Sequence, residues 1–392
     1  MIRRNLPRGY SPTFYLAFLS CLLFFGSLHL LITPLPIYIE EIGGGPVEVG
    51  LAGTTFALAA LAIRPLMGRL VDTRGRKVAL LIGAAIFTMG PLSYTVATTL
   101  PAFHLARVFH GIGIAAFTTA YYALIADMTP PARWGEALGL AGIAPSISMI
   151  LASPTGAVLL EHTSHRLVFM VAGLTALASL VVALLIDEPR RAVVASQRLD
   201  SSKAGMLDVV RMRGVAVPSL VTLTMGLSYG AVYAFLPLFA RDRNLGNVGF
   251  FFTGLSLSIV VSRSIAGRLS DRVGRLPVIL PMCGLLALSF AGLNWTYAFG
   301  TLIAMAIANG LGFGGARVGL ETMVVDNAPA RARGAALSLV YFCFDTGIAS
   351  SGLLLGPAIN LAGYGMAFLM VGGVCFLTLI LFAAAMRRPA TA

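Results

Sequence analysis

Twelve apolar blocks, each roughly 18 to 27 residues long, dominate this sequence, at positions 14–36, 49–66, 78–98, 101–125, 136–160, 166–187, 216–240, 249–266, 277–297, 299–325, 334–358 and 365–386. A helix of that length crosses a hydrocarbon core about 30 Å thick. Only 11% of the residues are charged and the mean hydropathy is +0.87, whereas soluble domains carry about 25% charged residues. A surface made from this composition would not stay in water, so the blocks predict twelve membrane helices. The first block is too long for a signal-peptide core and runs into Pro36–Glu41 without a small-residue cleavage site, so it is expected to stay as span one.

A net charge of +12 raises the question of nucleic acid, and the positions of the basic residues answer it. The two tails and the loops after even-numbered spans hold 23 of the 28 Lys and Arg, counting Arg64 and Arg263 at span ends. The opposite loops hold only Arg166, Arg241 and Arg243, and Arg107 and Arg317 lie inside spans. Cytoplasmic loops keep positive charge and translocated loops lack it. The pattern therefore predicts a multi-pass protein of the cytoplasmic (inner) membrane with both termini inside, a lipid partner and no nucleic acid. Cys21, Cys283, Cys343 and Cys375 all fall within apolar spans without C-x-x-C spacing, which favours packing over disulfide or metal roles. The His162-x-x-His165 pair in an outer loop is a weak metal candidate and reads better as surface loop. No metal site is expected.

The chain repeats itself. Arg64-x-x-x-Gly68-Arg69-Leu70-x-Asp72-x-x-Gly75-Arg76 returns as Arg263-x-x-x-Gly267-Arg268-Leu269-x-Asp271-x-x-Gly274-Arg275, each residue displaced by 199. The same displacement carries Gly111 to Gly310, Gly113 to Gly312, Asp127 to Asp326 and Pro130 to Pro329. Spans two to five thus match spans eight to eleven. The polar stretch from Asp187 to Arg213 reads as a cytoplasmic linker, giving bundles at 1–190 and 214–392 around a linker at 191–213. The repeated segment is expected in a short loop, where Gly68 and Gly75 relieve backbone crowding. Asp72 and Asp271 are expected to neutralise the positive end of a neighbouring helix in one conformation and not the other. A solvated basic turn would explain the arginines but not an aspartate at one spacing in both halves.

Gly68 through Lys77 resembles the signature G-x-L-x-D-x-x-G-R-K of the major facilitator superfamily, with Arg69 in the free position. The resemblance covers essentially the whole chain. It implies an all-α membrane protein with twelve transmembrane helices in two pseudo-symmetric six-helix bundles, working by alternating access around a central cavity, with substrate near the membrane midplane and no covalent chemistry. Arg107-x-x-His110-Gly111-x-Gly113 is similar to a second family motif, in which His110 replaces glutamine. The likeness gives Arg107 a part in proton coupling, whereas the residues alone equally allow an arginine snorkelling to the interface. His110 titrates near neutral pH when unperturbed, and a lone histidine among glycines is also an ordinary packing residue. An export-type motif survives in span five only as Ser153-Pro154-Thr155-Gly156, with a fuller copy, Gly352-x-x-x-Gly356-Pro357, in span eleven. Small residues there also permit plain close packing.

A charge at the centre of a membrane helix costs roughly 2.5 to 3.5 kcal/mol on insertion scales, so each such residue needs a reason. Asp345 lies mid-span in span eleven and shares a helical face with Ser338, Tyr341, Ala349 and Gly352, a face suited to a cavity and to a proton or substrate site. A static hydrogen-bonded aspartate is the plainer alternative. Arg317 and Glu321 in span ten are four apart and can pair, while their counterparts, Thr118 and Tyr122, are uncharged. That asymmetry fits a substrate or gating site and fits a structural pair as well. His29 lies alone inside span one. Tyr121, Tyr122, Tyr233, Phe25 and Phe344 are candidate cavity aromatics whose default role is packing. Trp134 and Trp295 belong at the interfaces.

The expectation that follows is a proton-driven exporter of small amphiphilic molecules, with a proton gradient and no cofactor, working as a monomer. Uptake of a sugar or organic acid by symport is the second reading. A membrane-embedded enzyme or sensor is the third, against which stands the lack of H-E-x-x-H, a nucleophile elbow or a phosphate loop.

Overall fold

The computed structural model describes residues 10–130, 133–188, 210–329 and 332–387. Among these, every regular element is a helix. Eleven helices are long and apolar enough to cross a membrane, and the last of them, Arg333–Arg387, is bent at Gly363 (φ 78°) into two spans, 333–362 and 364–387. The others run Pro46–Arg74, Arg76–Tyr94, Leu100–Asp127, His165–Leu184, Arg213–Asp242, Gly249–Val273, Leu276–Leu293 and Phe299–Asn327, with spans one and five each built from two helices. Large side chains such as Leu174, Leu257, Leu288 and Leu377 are exposed around the outside, which a lipid surround accounts for.

Span one departs from the continuous helix expected over 14–36. Its helix Pro12–Leu30 ends before a turn at 31–33, and a second helix covers Pro34–Glu41. Pro34 and Pro36 lack the N–H that would continue the helical ladder. Span five is similarly divided, Trp134–Ala141 then Ile143–His162, at Gly142. The expected linker at 191–213 lies, up to residue 209, outside the described residues.

The repeated segment is also placed differently from expectation. Gly68, Asp72 and their counterparts Gly267 and Asp271 lie within helices, which extend to Arg74 and Val273. A Cβ on Gly68 would meet nothing, and one on Gly267 only Val318 at 3.8 Å, so neither relieves crowding. The first turn is the single residue Gly75 (φ 100°) and the second is Gly274 (φ 91°) with Arg275, each glycine in a region costly for any residue with a Cβ.

Within the first six spans Phe24 is stacked between Phe87 and Phe117, with ring centroids 3.8 Å from each. Ser20 and Ser179 clasp span one to span six by reciprocal hydrogen bonds. Between the first six spans and the last six, spans two and eleven meet at Gly50 and Gly352, whose backbones touch, and Thr54 Oγ1 donates to the Ala349 carbonyl at 2.6 Å. Spans five and eight meet at Pro154 and Gly249, where Thr253 Oγ1 donates to the Ile150 carbonyl at 2.8 Å. These contacts all lie toward the membrane face opposite the repeated, basic segments. At that face Arg241 pairs with Glu40, to which the Tyr364 hydroxyl donates at 3.5 Å.

Candidate functional site

Toward the basic face the two sets of spans part. Along one face of span eleven Ser338 and Tyr341 are exposed, Asp345 is intermediate, and Ala349 and Gly352 are buried. Span two mirrors this: Gly50 and Thr54 are buried, Ala57 and Leu61 intermediate, and Arg64 exposed. Two facing helices that both lose cover in the same direction bound a cleft that opens at the basic face.

At the head of this cleft Arg64 Nη2 lies 3.2 Å from Asp345 Oδ2, an ion pair joining span two to span eleven. The Asp345 side chain is 22% exposed and that of Arg64 45%, so the pair sits where buried interface gives way to open cleft. Asp345 is thus held by a partner the sequence reading treated only as one of the cytoplasmic positive charges. Arg317 lies close enough to act on the same carboxylate electrostatically. Its Nε donates to Glu321 Oε1 at 2.9 Å, and its guanidinium stacks 3.9 Å over the Phe344 ring and 5.5 Å over Tyr341. Stacking and pairing together give a buried cation the compensation it needs. Beneath it Tyr229 donates to Tyr233 at 2.6 Å, and Tyr233 donates to Met149 Sδ at 2.8 Å, so this tyrosine ladder crosses from span seven to span five. Tyr122 and Tyr341 are 40% and 45% exposed. Arg263, from span eight, acts electrostatically on both. Asp345, Arg317, Glu321, Tyr122 and Tyr341 are therefore brought together.

Arg107, His110 and His29 are not. Arg107 is 9% exposed, so the snorkelling alternative does not hold: it turns inward, donating from Nε to the Ala52 carbonyl at 3.1 Å and lying 4.3 Å over Phe56. His110 is fully buried, its Nδ1 sharing a 2.8 Å hydrogen bond with the Tyr94 hydroxyl and its ring filling the space beside Gly90. The position 199 further on, Asn309, does the same work by donating to Ser289 Oγ at 3.1 Å. His29 shares a 2.9 Å hydrogen bond with Ser148 and ties span one to span five. Tyr121 is buried and donates to the Ala141 carbonyl. His165 pairs with Glu41 at 2.9 Å, and no cluster of metal-ligating side chains occurs among the described residues.

The basic turns carry matched ion pairs. Arg76 Nε lies 2.7 Å from Asp127 and its Nη1 3.9 Å from Asp72. Arg275 reaches Asp326 at 3.0 Å and Asp271 at 2.5 Å, and its hydrogen bond to Asp271 is the main reason its guanidinium is held above the ordinary arginine range. A helix end beside this turn is covered by Glu188. The Arg76 backbone N–H donates to Glu188 at 2.7 Å, and Glu188 packs against Gly75. Sequence reading missed Glu188 because it stands 112 residues away and its counterpart in the repeat is Arg387.

A family model described as Major Facilitator Superfamily matches residues 16–299 and 219–392. An uncharacterised MFS-type transporter of Methanocaldococcus jannaschii is 22% identical over 334 residues, 83% of this chain and 86% of its own length. The quinolone resistance protein NorA of Staphylococcus aureus is 28% identical over 231 residues, 58% of each chain. Among solved structures, a mutant of the nucleoside transporter NupG superposes with TM-score 0.82 at 14% identity over 96% of this chain and all of that one. A bacterial homologue of the lysosomal transporter Spinster, solved inward-facing and unoccupied, superposes with TM-score 0.78 at 15% identity over 96% and 97%.

Proposed function

The chain belongs to the major facilitator superfamily, whose members here are membrane transporters and not enzymes, and on that premise we propose that it is a proton-coupled exporter of small amphiphilic molecules. The observation that carries the reading is the Arg64–Asp345 pair at 3.2 Å, set at the boundary between closed interface and open cleft. A carboxylate there can lose its charge by taking a proton, and with the charge goes its hold on Arg64. Deprotonated Asp345 ties the two six-span sets together in the form described here. For export, Asp345 takes its proton in the outward-facing form and releases it at the basic face, where the ionised carboxylate regains Arg64 and entry of the solute into the cleft drives the rocking that parts the opposite seal at Gly50 and Gly352. Alternation between the two forms moves a solute one way and a proton the other. We place the basic face at the cytoplasm, both termini with it, in the cytoplasmic membrane, and take a monomer as the working unit.

The quinolone resistance proteins among the relatives favour export of drug-like solutes. Three guanidinium groups around one cleft favour, as a second reading, symport of an organic acid through the same site. Direction separates them. Purified protein in liposomes, given a pH gradient and a panel of dyes, sugars and zwitterions, is expected to move an amphiphilic dye against the proton flow. Asp345→Asn is expected to abolish gradient-driven movement while leaving solute exchange without a gradient intact. Full pH-driven transport by Asp345→Asn would defeat the coupling role, and movement of solute with protons would select the second reading.

A further inference from the structure

Five ionised side chains meet around the cleft: Arg64, Arg263 and Arg317 against Asp345 and Glu321. Two pairs form, Arg64 with Asp345 and Arg317 with Glu321. Among the described residues no carboxylate pairs with Arg263, and the repeat gives the reason. Arg263 stands 199 residues after Arg64, at the same depth in its own helix, and the position that corresponds in the same way to Asp345 is Ser146. The Ser146 carbonyl is itself occupied, accepting from Ser256 Oγ at 3.1 Å. One half of the pseudo-symmetric arrangement thus supplies a cation and its counter-ion, and the other supplies the cation alone.

Arg263 is not at the helix end, where a positive-inside role would explain it. Its helix continues ten residues further to Val273, about 15 Å at 1.5 Å per residue. It is near enough to act electrostatically on Tyr122 of span four and on Tyr341 of span eleven, both partly exposed, one from each six-span set, so its charge lies where the two sets part. Arg263 is exposed, and a guanidinium lining a cleft with no carboxylate beside it leaves a positive charge there for a solute to meet. A guanidinium fork matches a carboxylate or sulfonate in two parallel hydrogen bonds, and two tyrosine rings in the same part of the cleft suit the flat apolar body of an amphiphile.

We infer that the solute carried in this cleft bears an anionic group, that Arg263 receives it, and that Tyr122 and Tyr341 hold the apolar part beside it. A single negative charge on the solute balances the three cations against the two carboxylates. The inference rests on the transport reading, and binding tests it independently of transport.

The probes are a rhodamine zwitterion with a free carboxylate and its methyl ester, which lacks that charge and keeps the ring system. Fluorescence anisotropy with purified full-length protein in nanodiscs is expected to show the free acid binding about tenfold tighter than the ester, the worth of one charge-assisted hydrogen-bonded contact. Arg263→Gln is expected to erase that preference by weakening the acid and leaving the ester unchanged. Arg263→Lys is expected to retain part of it, and unchanged ester binding shows that each variant is folded. Ester binding as tight as the acid, no binding of either dye, or a preference that survives Arg263→Gln would overturn the assignment. Acid-selective binding without movement under any gradient would instead defeat the transport reading and leave the anion site standing.

Discussion

Gly50 and Gly352 touch backbone to backbone, so that a Cβ on either would run into the carbonyl of the other. No other residue type permits spans two and eleven to approach so closely, and this approach is the centre of the seal on the face opposite the cleft. Gly356, four residues on, packs in the same way against Val47. The glycines of the export-type motif in span eleven are thus part of the seal.

Gly352→Val is therefore expected to wedge the seal open. Overpacking of this kind costs on the order of 1 to 3 kcal/mol, enough to move the balance between two conformations by about fivefold to a hundredfold. The check is labelling of a cysteine placed at Thr54 with a membrane-impermeant maleimide from the face opposite the basic turns. Labelling is expected to rise at least several-fold over the same cysteine in the unaltered protein. Cys21, Cys283, Cys343 and Cys375 are all buried and unpaired, which keeps the background low.

Glu188 and Arg387 occupy equivalent positions in the repeat, and Glu188 receives the first N–H of a span, a bond that a guanidinium, having no acceptor, cannot make. Loss of a capping group costs about 1 kcal/mol. Glu188→Ala is expected to lower the melting temperature in detergent by a few degrees, and Arg387→Ala to leave it unchanged. Equal effects would mean that Glu188 acts only through general charge.

His29→Ala is expected to reduce stability by about 1 to 3 kcal/mol, since it strands the Ser148 hydroxyl in a buried site and leaves a cavity. The pH dependence of transport in the same variant is expected to match that of the unaltered protein. A shifted profile would return His29 to the coupling machinery.

The spans, their number and the repeat were legible because each is a property of runs and spacings along one dimension. Charges stranded in apolar segments were legible too, as rarities. What a single sequence does not carry is the direction in which a helix turns each rare residue. Arg107, His110 and His29 differ from Asp345 and Arg317 only in facing the inside of one six-span set and not the cleft between two. Arg64 was hidden by its neighbours: followed by Arg69, Arg74 and Arg76, it read as one more cytoplasmic charge, although it lies ten residues inside the end of its helix. The 199-residue displacement already held a further signal, since Asp345 has Ser146 as its counterpart while Arg64 has Arg263. That imbalance gains meaning only once spans two and eleven are known to touch.

Arg64 and Asp345 offer a test of whether the pair is a tie or a coincidence of two charges. Removing one partner of a fully buried pair costs about 3 to 5 kcal/mol because the other is left uncompensated. With 45% of the Arg64 side chain exposed, water supplies part of that compensation, and about 1 to 2 kcal/mol is the expected cost of Asp345→Asn or Arg64→Gln alone. Replacing both removes the stranded charge, so the double variant is expected to recover most of the melting temperature lost by either single one. Gradient-driven transport is expected to stay absent in the double variant, because a stable interface without a titratable carboxylate has nothing for the proton to bind. Additive losses in stability would show that the two side chains do not act on each other, and recovery of transport along with stability would show that the proton enters elsewhere.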